Sequence, residues 1–431
     1  MGALVAILVV VVLMFLGVPV VFSFAAMTLA LSLIYGIEIS SLMTTGFWAV
    51  NSVILLALPL FIMTGYVLQT GGLARRLIDF VEALVGNSKS GMGASMIVAC
   101  AIFGAISGTA SAAVAAIGRI MVDPMERHGY DRGYVAALLG ASSLLGLLIP
   151  PSITMILFAV VTRQSVTACF LATVGPGILL MILLIIYNAI RIRMGGERPE
   201  QTVPVADRWQ NVGSAGWKAL PALMMPVIIL GGIYGGFFTP TEAAAIALVY
   251  AIPVGMFIYR DLDLKGLFDC VVQAAATTGV IMVILVFSFI ASRIFTMERI
   301  PQEMTGFLFE IFESPTAILV AVNLFLIALG MIMDDVSIIA ITGPLLLPVM
   351  TEIGVEPVHF AAIIGMSVVI GCNTPPMAPI LFLSCRVGNV GMSRVTKPAL
   401  QLIFFTALPV QIAVTFWPGL SLFLPRALGY L

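Results

Sequence analysis

The most constraining feature of this chain is a set of long stretches without a single charged residue. Met1–Ile37, Ile39–Ala74, Ser90–Gly118, Gly133–Thr162 and Pro398–Pro425 are all charge-free. A bilayer-spanning helix needs about 20 apolar residues, so each run is long enough to cross a membrane. Only 10% of the residues are charged, against about 25% in an ordinary soluble domain. The runs show no alternation in segments of about ten residues, which excludes a transmembrane β-barrel. The chain reads as an all-α polytopic membrane protein. Met1–Ile37 has no basic start and is too long for a cleavable signal peptide, and Gly17 and Pro19 leave open one pass or two.

Two runs are interrupted in the same way, by "GLLIPPSITM" at 146–155 and "GCNTPPMAPI" at 371–380. A proline lacks the backbone donor and clashes with the preceding turn, so paired prolines break a helix. Laying position i on position i+225 superposes the two interruptions without a gap. At that shift, 11 of the 37 positions from 115 to 151 are identical, including both prolines and Gly118/Gly343, Gly129/Gly354, Gly140/Gly365 and Gly146/Gly371. This reads as an internal duplication, which in transporters marks paired structural repeats.

Basic residues orient the halves, because Lys and Arg favour the cytoplasmic side. With the loop 191–218 inside and Arg163 outside, 16 of the 20 basic residues face the cytoplasm; Arg163, Arg293, Arg299 and Arg426 do not. That arrangement makes the repeats inverted. Ser90–Gly118 is then too short for two spans and too long for one, with the small and polar centre "GAISGTASAA", and reads as a re-entrant hairpin. Non-helical backbone at membrane depth is tolerated only inside protein or along a cavity. The resulting division is 1–50 as N-terminal scaffold helices, and 51–165 as a first repeat with a hairpin at about 90–118 and a broken helix at 133–162. Scaffold helices and the cytoplasmic loop 191–218 occupy 166–269. A second repeat covers 270–390, with a hairpin at about 316–351 and a broken helix at 358–385. A C-terminal membrane helix fills 391–431.

Each hairpin tip, Ser107–Ala110 and Met333–Val336, is expected to meet a broken helix. Such a helix exposes carbonyls at one half-helix end and amide donors at the next. Carbonyls and hydroxyls suit a small hard cation, and positive helix N-termini suit an anion. Asp334 and Asp335 are the sharpest signal, since acids at membrane depth are costly and functional; a capping pair at the outer surface is the competing reading. Arg75, Arg76, Asp79 and Glu82 alternate with Leu73, Leu77, Phe80 and Leu84, as in an interfacial helix. His128 and His359 read as solvated or capping groups. The five cysteines lie in apolar segments without metal-ligand spacing and read as small hydrophobes. A net charge of −1 suggests no nucleic-acid partner, no P-loop pattern suggests an ATPase, and no set of catalytic residues suggests an enzyme.

The stretches "GTASAAVAAIG", "LLGLLIPPS", "GGIYGGFFTPTEAAAIA", "MIMDDVSIIAITGPLLLPV" and "CNTPPMAPILF" together resemble the large membrane subunit of tripartite ATP-independent periplasmic (TRAP) transporters, along essentially the whole chain. The resemblance implies a multi-pass protein of the bacterial inner membrane that imports an organic acid, of the C4-dicarboxylate or sialic-acid type, with sodium ions and no organic cofactor. It implies a periplasmic substrate-binding protein and a small four-helix membrane subunit as partners. It also implies an elevator-type fold with a scaffold and a mobile transport domain. Sodium sites would fall at Ser107, Thr109, Gly146, Ile149 and Pro151 in one half, and at Asp334, Asp335, Gly371, Thr374 and Met377 in the other. Ser111, Ser152 and Asn373 are the candidates for the substrate. Thr109 aligns with Asp334, so the two sites need not share chemistry. A self-sufficient sodium–dicarboxylate symporter and a cation/proton antiporter remain alternatives.

Overall fold

The computed structural model describes residues 2–85, 90–195, 208–312, 314–375 and 377–431. Among the described residues there are helices and no strand. Seven helices among the described residues are long and apolar enough to cross a membrane, or up to nine if each bent pair is one span. The first charge-free run divides into Gly2–Phe15 and Val20–Tyr35, which pack on each other. Gly17 makes the turn with φ +82°, a conformation open to glycine at little cost, and Pro19 precedes the second helix.

The helices recur in the same order in both halves. Gly91–Ser107 and Ala110–Arg127 form the first hairpin, and Pro315–Gly330 and Asp335–Glu352 the second. Each hairpin leads into a broken helix. The first is Arg132–Leu148 followed by Ile153–Thr162, bent by 43°; the second is Pro357–Asn373 followed by Pro379–Val387. Ala110 and Asp335, like Arg132 and Pro357, open equivalent helices at the offset of the sequence duplication. Val166–Arg193 and Met392–Phe416 then close the two halves.

The first hairpin differs in extent from the expected 90–118: its exit arm runs on to Arg127. The charges from Arg119 onward mark where the helix leaves apolar surroundings, not where it ends. Asp123 and Glu126, on that last stretch, form ion pairs with Arg132. His128 caps the arm, its Nδ1 lying 2.7 Å from the Pro124 carbonyl oxygen. His359 is neither solvated nor a cap. It is buried, and its ring bonds the Ser421 hydroxyl at 2.6 Å, because the last helix, Gly419–Ala427, covers the first turn of the second broken helix.

The halves are interlocked. Ile153–Thr162, from the first half, packs on the second hairpin's exit arm Asp335–Glu352. Pro379–Val387, from the second half, packs on Ala110–Arg127 and Arg132–Ser143 of the first. Arg132 donates to the Gly388 carbonyl at 2.5 Å, and Arg394 pairs with Asp131 at 2.7 Å. A buried polar cluster of Asn323, Ser367, Gln411 and Thr415 joins the second hairpin's entry arm, the second broken helix and the helix at 408–416. Outside this body, Leu73–Val85 turns Arg75, Asp79 and Glu82 outward over buried Leu73, Leu77, Ile78 and Val81. Arg76 anchors it, paired with Asp261 and lying 4.5 Å over the Tyr259 ring. All five cysteines are free and buried.

Candidate ion and substrate site

The first hairpin turns at Gly108 and Thr109. Gly108 has φ +68° and its N–H closes the entry arm on the Gly104 carbonyl at 2.8 Å. Thr109 caps the exit arm, its hydroxyl oxygen accepting the Ala112 N–H at 3.4 Å. Ser107 is buried, with its hydroxyl 3.5 Å from the Thr109 carbonyl oxygen. The break at 149–152 lies against this tip. Pro150 and Pro151 offer no amide hydrogen, so carbonyls one turn back lose their helical partners. Ser152 replaces one of them: its hydroxyl donates to the Leu147 carbonyl at 2.7 Å and lies 2.6 Å from that of Thr154. The helix restarts at Ile153, where an amide has no partner within its own helix. That amide donates to the Gly108 carbonyl at the hairpin tip, at 3.2 Å.

The second half repeats the device. Ala378, the counterpart of Ile153 at the duplication offset, donates its N–H at 3.3 Å to the carbonyl of Met331, which caps the second hairpin's entry arm just before the tip. In both halves a pair of glycines brings hairpin and break together. A methyl group on Gly146 would stand 3.0 Å from the Gly104 Cα and 3.2 Å from the Thr109 carbonyl oxygen. A methyl group on Gly330 would stand 2.7 Å from the Gly371 Cα. Only glycine permits such backbone approach.

The residues expected at the first cation site, Ser107, Thr109, Gly146, Ile149 and Pro151, meet at this junction. A methyl group on Gly108 would lie 2.8 Å from the Pro151 carbonyl oxygen, and Ile149 donates back to Leu145 at 2.8 Å. In the second half Asp334 stands at the N-cap position, and its carboxylate accepts the Ser337 hydroxyl. Asp334 and Asp335 are half-buried, and neither has a basic partner among the described residues. Thr374 ends the preceding half-helix, its hydroxyl bonded to the Ile370 carbonyl at 2.6 Å and its N–H to that of Gly371 at 2.9 Å. Met377 is exposed, and Pro376, half of the second Pro-Pro pair, lies outside the described residues. Both junctions therefore gather carbonyls and hydroxyls; the second adds two carboxylates.

The three substrate candidates do not converge. Ser111 is exposed, while Ser152 is fully buried with its hydroxyl committed to the break. Asn373 is buried where the two broken helices cross, and its Oδ1 has no hydrogen-bond partner; a methyl group on Gly140 would stand 3.0 Å from that oxygen. Gly104, Gly330, Ala378 and Ser337 belong to the junctions without being evident from the sequence. A small residue on each hairpin arm is visible there, but its partner glycine lies on another element, far along the chain.

The model of the family described as "Tripartite ATP-independent periplasmic transporter, DctM component" matches residues 7–420. The chain belongs to this family. It is similar to the C4-dicarboxylate TRAP transporter large permease protein DctM of Pseudomonas aeruginosa, with 37% identity over 87% of each chain. It is also similar to the sialic acid TRAP transporter large permease protein SiaM of Vibrio cholerae, with 32% identity over 97% of each. Among solved structures, the YdaH transporter of Alcanivorax borkumensis shares the fold, with a TM-score of 0.63, 15% identity and 88% of each chain covered. The large permease is a multi-pass protein of the bacterial inner membrane, a secondary transporter subunit and not an enzyme.

Proposed function

We propose that this large permease imports an organic acid anion by coupling it to sodium ions, one at each junction of hairpin tip and broken helix. The paired junction carries the reading: at the offset-related positions Ile153 and Ala378, an amide at each break donates to a carbonyl near the turn of its hairpin and ties the two together. Ser107, Thr109, Gly146, Ile149 and Pro151 hold one ion. Asp334, Asp335, Gly371, Thr374 and Met377 hold the other more electrostatically. Between them the positive half-helix starts receive the acid, with Asn373, buried and with its Oδ1 unpartnered, offering a polar side chain. The relatives' names point to the substrate class, since C4-dicarboxylates and sialic acids both carry carboxylates.

The repeats are inverted in this reading. The base of the first hairpin adjoins the start of the first broken helix, and the second hairpin's exit arm packs on its far end. The interlocked hairpins and broken helices move as one body against the scaffold, as in an elevator. The loop 191–218 is cytoplasmic and Arg163 periplasmic. A periplasmic binding protein delivers the acid, and a small four-helix membrane subunit completes the scaffold.

Reconstitution by omission tests this. Proteoliposomes containing the large permease, its small membrane subunit and the binding protein should take up succinate or N-acetylneuraminate with a sodium gradient. Leaving out either partner should abolish uptake. Undiminished uptake by the large permease alone would replace this reading with a self-sufficient symporter.

A further inference from the structure

A second polar region lies away from both junctions. A cavity of about 1080 Å³ opens between Ile39–Val50 and Leu264–Met297 on one wall and the end of Ile153–Thr162 on the other. Two arginines line it, Arg163 and Arg293, and no lining residue is acidic. Both arginines are exposed, and neither has an ion-pair partner among the described residues. In a chain with 21 acidic and 20 basic residues, two unpaired guanidiniums in one concavity leave a net positive well. Low-dielectric walls focus such a field. The hydroxyls of Thr44, Thr45 and Thr296 donate to carbonyls one turn back, while those of Ser52 and Ser292 are uncommitted.

Arg163 also occupies a conformation that argues for its side chain. It ends Ile153–Thr162 with φ +58°, the left-handed cap that glycine adopts without steric cost. Its counterpart at the duplication offset, Gly388, ends its helix in the right-handed region with φ −75°. The first half thus places an arginine in a left-handed cap at a position where the second half has neither the side chain nor that conformation.

We propose that this cavity is an anion-receiving vestibule, in which Arg163 and Arg293 jointly hold a carboxylate of the organic acid before it reaches the centre. The assignment rests on the organic-acid reading above. Guanidinium binds carboxylate through two parallel N–H donors. Two arginines on opposite walls, one on a hairpin-docked helix and one on a long membrane helix, grip an anion that lies between the two bodies. The vestibule thus supplies capture, and the junctions supply coupling.

Trp48 lines the same cavity and serves as the reporter. The experiment uses the full chain in nanodiscs with Trp209, Trp217 and Trp417 replaced by phenylalanine. Succinate and N-acetylneuraminate are titrated separately against Trp48 fluorescence, at low and high ionic strength. A saturable change is expected with one of them, weakened about tenfold by Arg163→Gln or Arg293→Gln and partly kept by Arg163→Lys. In proteoliposomes with both partners, the same Gln variants should raise half-saturating acid concentration about tenfold with the maximal rate retained. Size-exclusion profiles of the Lys and Gln variants separate loss of binding from loss of folding. If acid uptake is robust but Trp48 does not respond to free acid, the vestibule is overturned. Uptake lost in the Gln variants while wild-type Trp48 stays silent to free acid overturns it in favour of an acidic docking segment on the binding protein. If no organic acid is taken up at all, the organic-acid reading fails and the vestibule with it.

Discussion

Replacing Gly330 by alanine tests the junction geometry most economically. The added methyl would stand 2.7 Å from the Gly371 Cα, while carbon atoms settle at about 3.5 Å or more. One backbone must retreat by about 0.8 Å, and the bond from Ala378 to the Met331 carbonyl, already 3.3 Å, is the contact that retreat stretches. Overpacking of this kind costs about 1–3 kcal/mol. Alanine's better helix propensity offsets up to about 1 kcal/mol, so with the full offset the net loss reaches about 2 kcal/mol, or up to about 30-fold in an equilibrium constant. If the junction holds a sodium ion, the half-saturating sodium concentration for uptake should rise by that factor. Gly231→Ala is the control, because a methyl there meets nothing within 4 Å, and it should leave sodium dependence unchanged. Sodium titration of uptake in proteoliposomes, beside melting of the purified proteins, reads both. A Gly330→Ala protein with wild-type sodium dependence would refute the reasoning, whether or not its melting temperature falls.

Further outcomes follow from the same geometry. Asp334→Asn or Asp335→Asn should raise half-saturating sodium about ten- to a hundredfold, the worth of a charge-assisted contact of about 1.5–3 kcal/mol. Asp79→Asn, on an exposed face, should change little, and the central defect should shrink at high sodium. Cysteines placed at Gln164 and at exposed Met194 should react with impermeant maleimide from the periplasm and the cytoplasm respectively. The five native cysteines, all buried, leave a low background, and periplasmic labelling at 194 would undo the topology. Asp131 gives a pH dependence. Burial pushes its carboxyl up, but the hydrogen bond from Arg394, the Tyr134 amide and the Arg394 charge together hold it below the ordinary value. Its stabilisation is therefore present above about pH 4, the usual aspartate value, and is lost as pH falls through the lower folded value. Asp131→Asn keeps the cap and should lose less than about 1 kcal/mol at pH 7, since the pair is half exposed. The gap to wild type in melting temperature should close below pH 4.

Proline and glycine make the duplication and the two breaks legible in the sequence, because their backbone constraints act locally and survive any environment. The same locality explains Thr239–Glu242, whose spacing alone forms a reciprocal cap. Gly104 and Gly330 are not legible as contact residues. Their role depends on a backbone that only the folded hairpin brings near. Ser152 looks available for a ligand because sequence does not show which carbonyls a break has freed; the Leu147 carbonyl claims its hydroxyl. The end of the first hairpin is misplaced by sequence because charges mark an exit from apolar surroundings, and Ala110–Arg127 continues past that exit. His359 reads as a surface group because its helix start is covered by a segment, Gly419–Ala427, distant in the chain.

The central claim is that ions at two hairpin–break junctions drive the anion. Simultaneous entry of ²²Na⁺ and radiolabelled acid into proteoliposomes tests it most directly, with the large permease, small subunit and binding protein present. The account predicts that sodium enters with the acid, at more than one ion per acid, that potassium cannot replace it, and that Asp334→Asn reduces both fluxes together. Acid uptake that proceeds without ²²Na⁺ entry, driven by a proton gradient in sodium-free buffer, would contradict it.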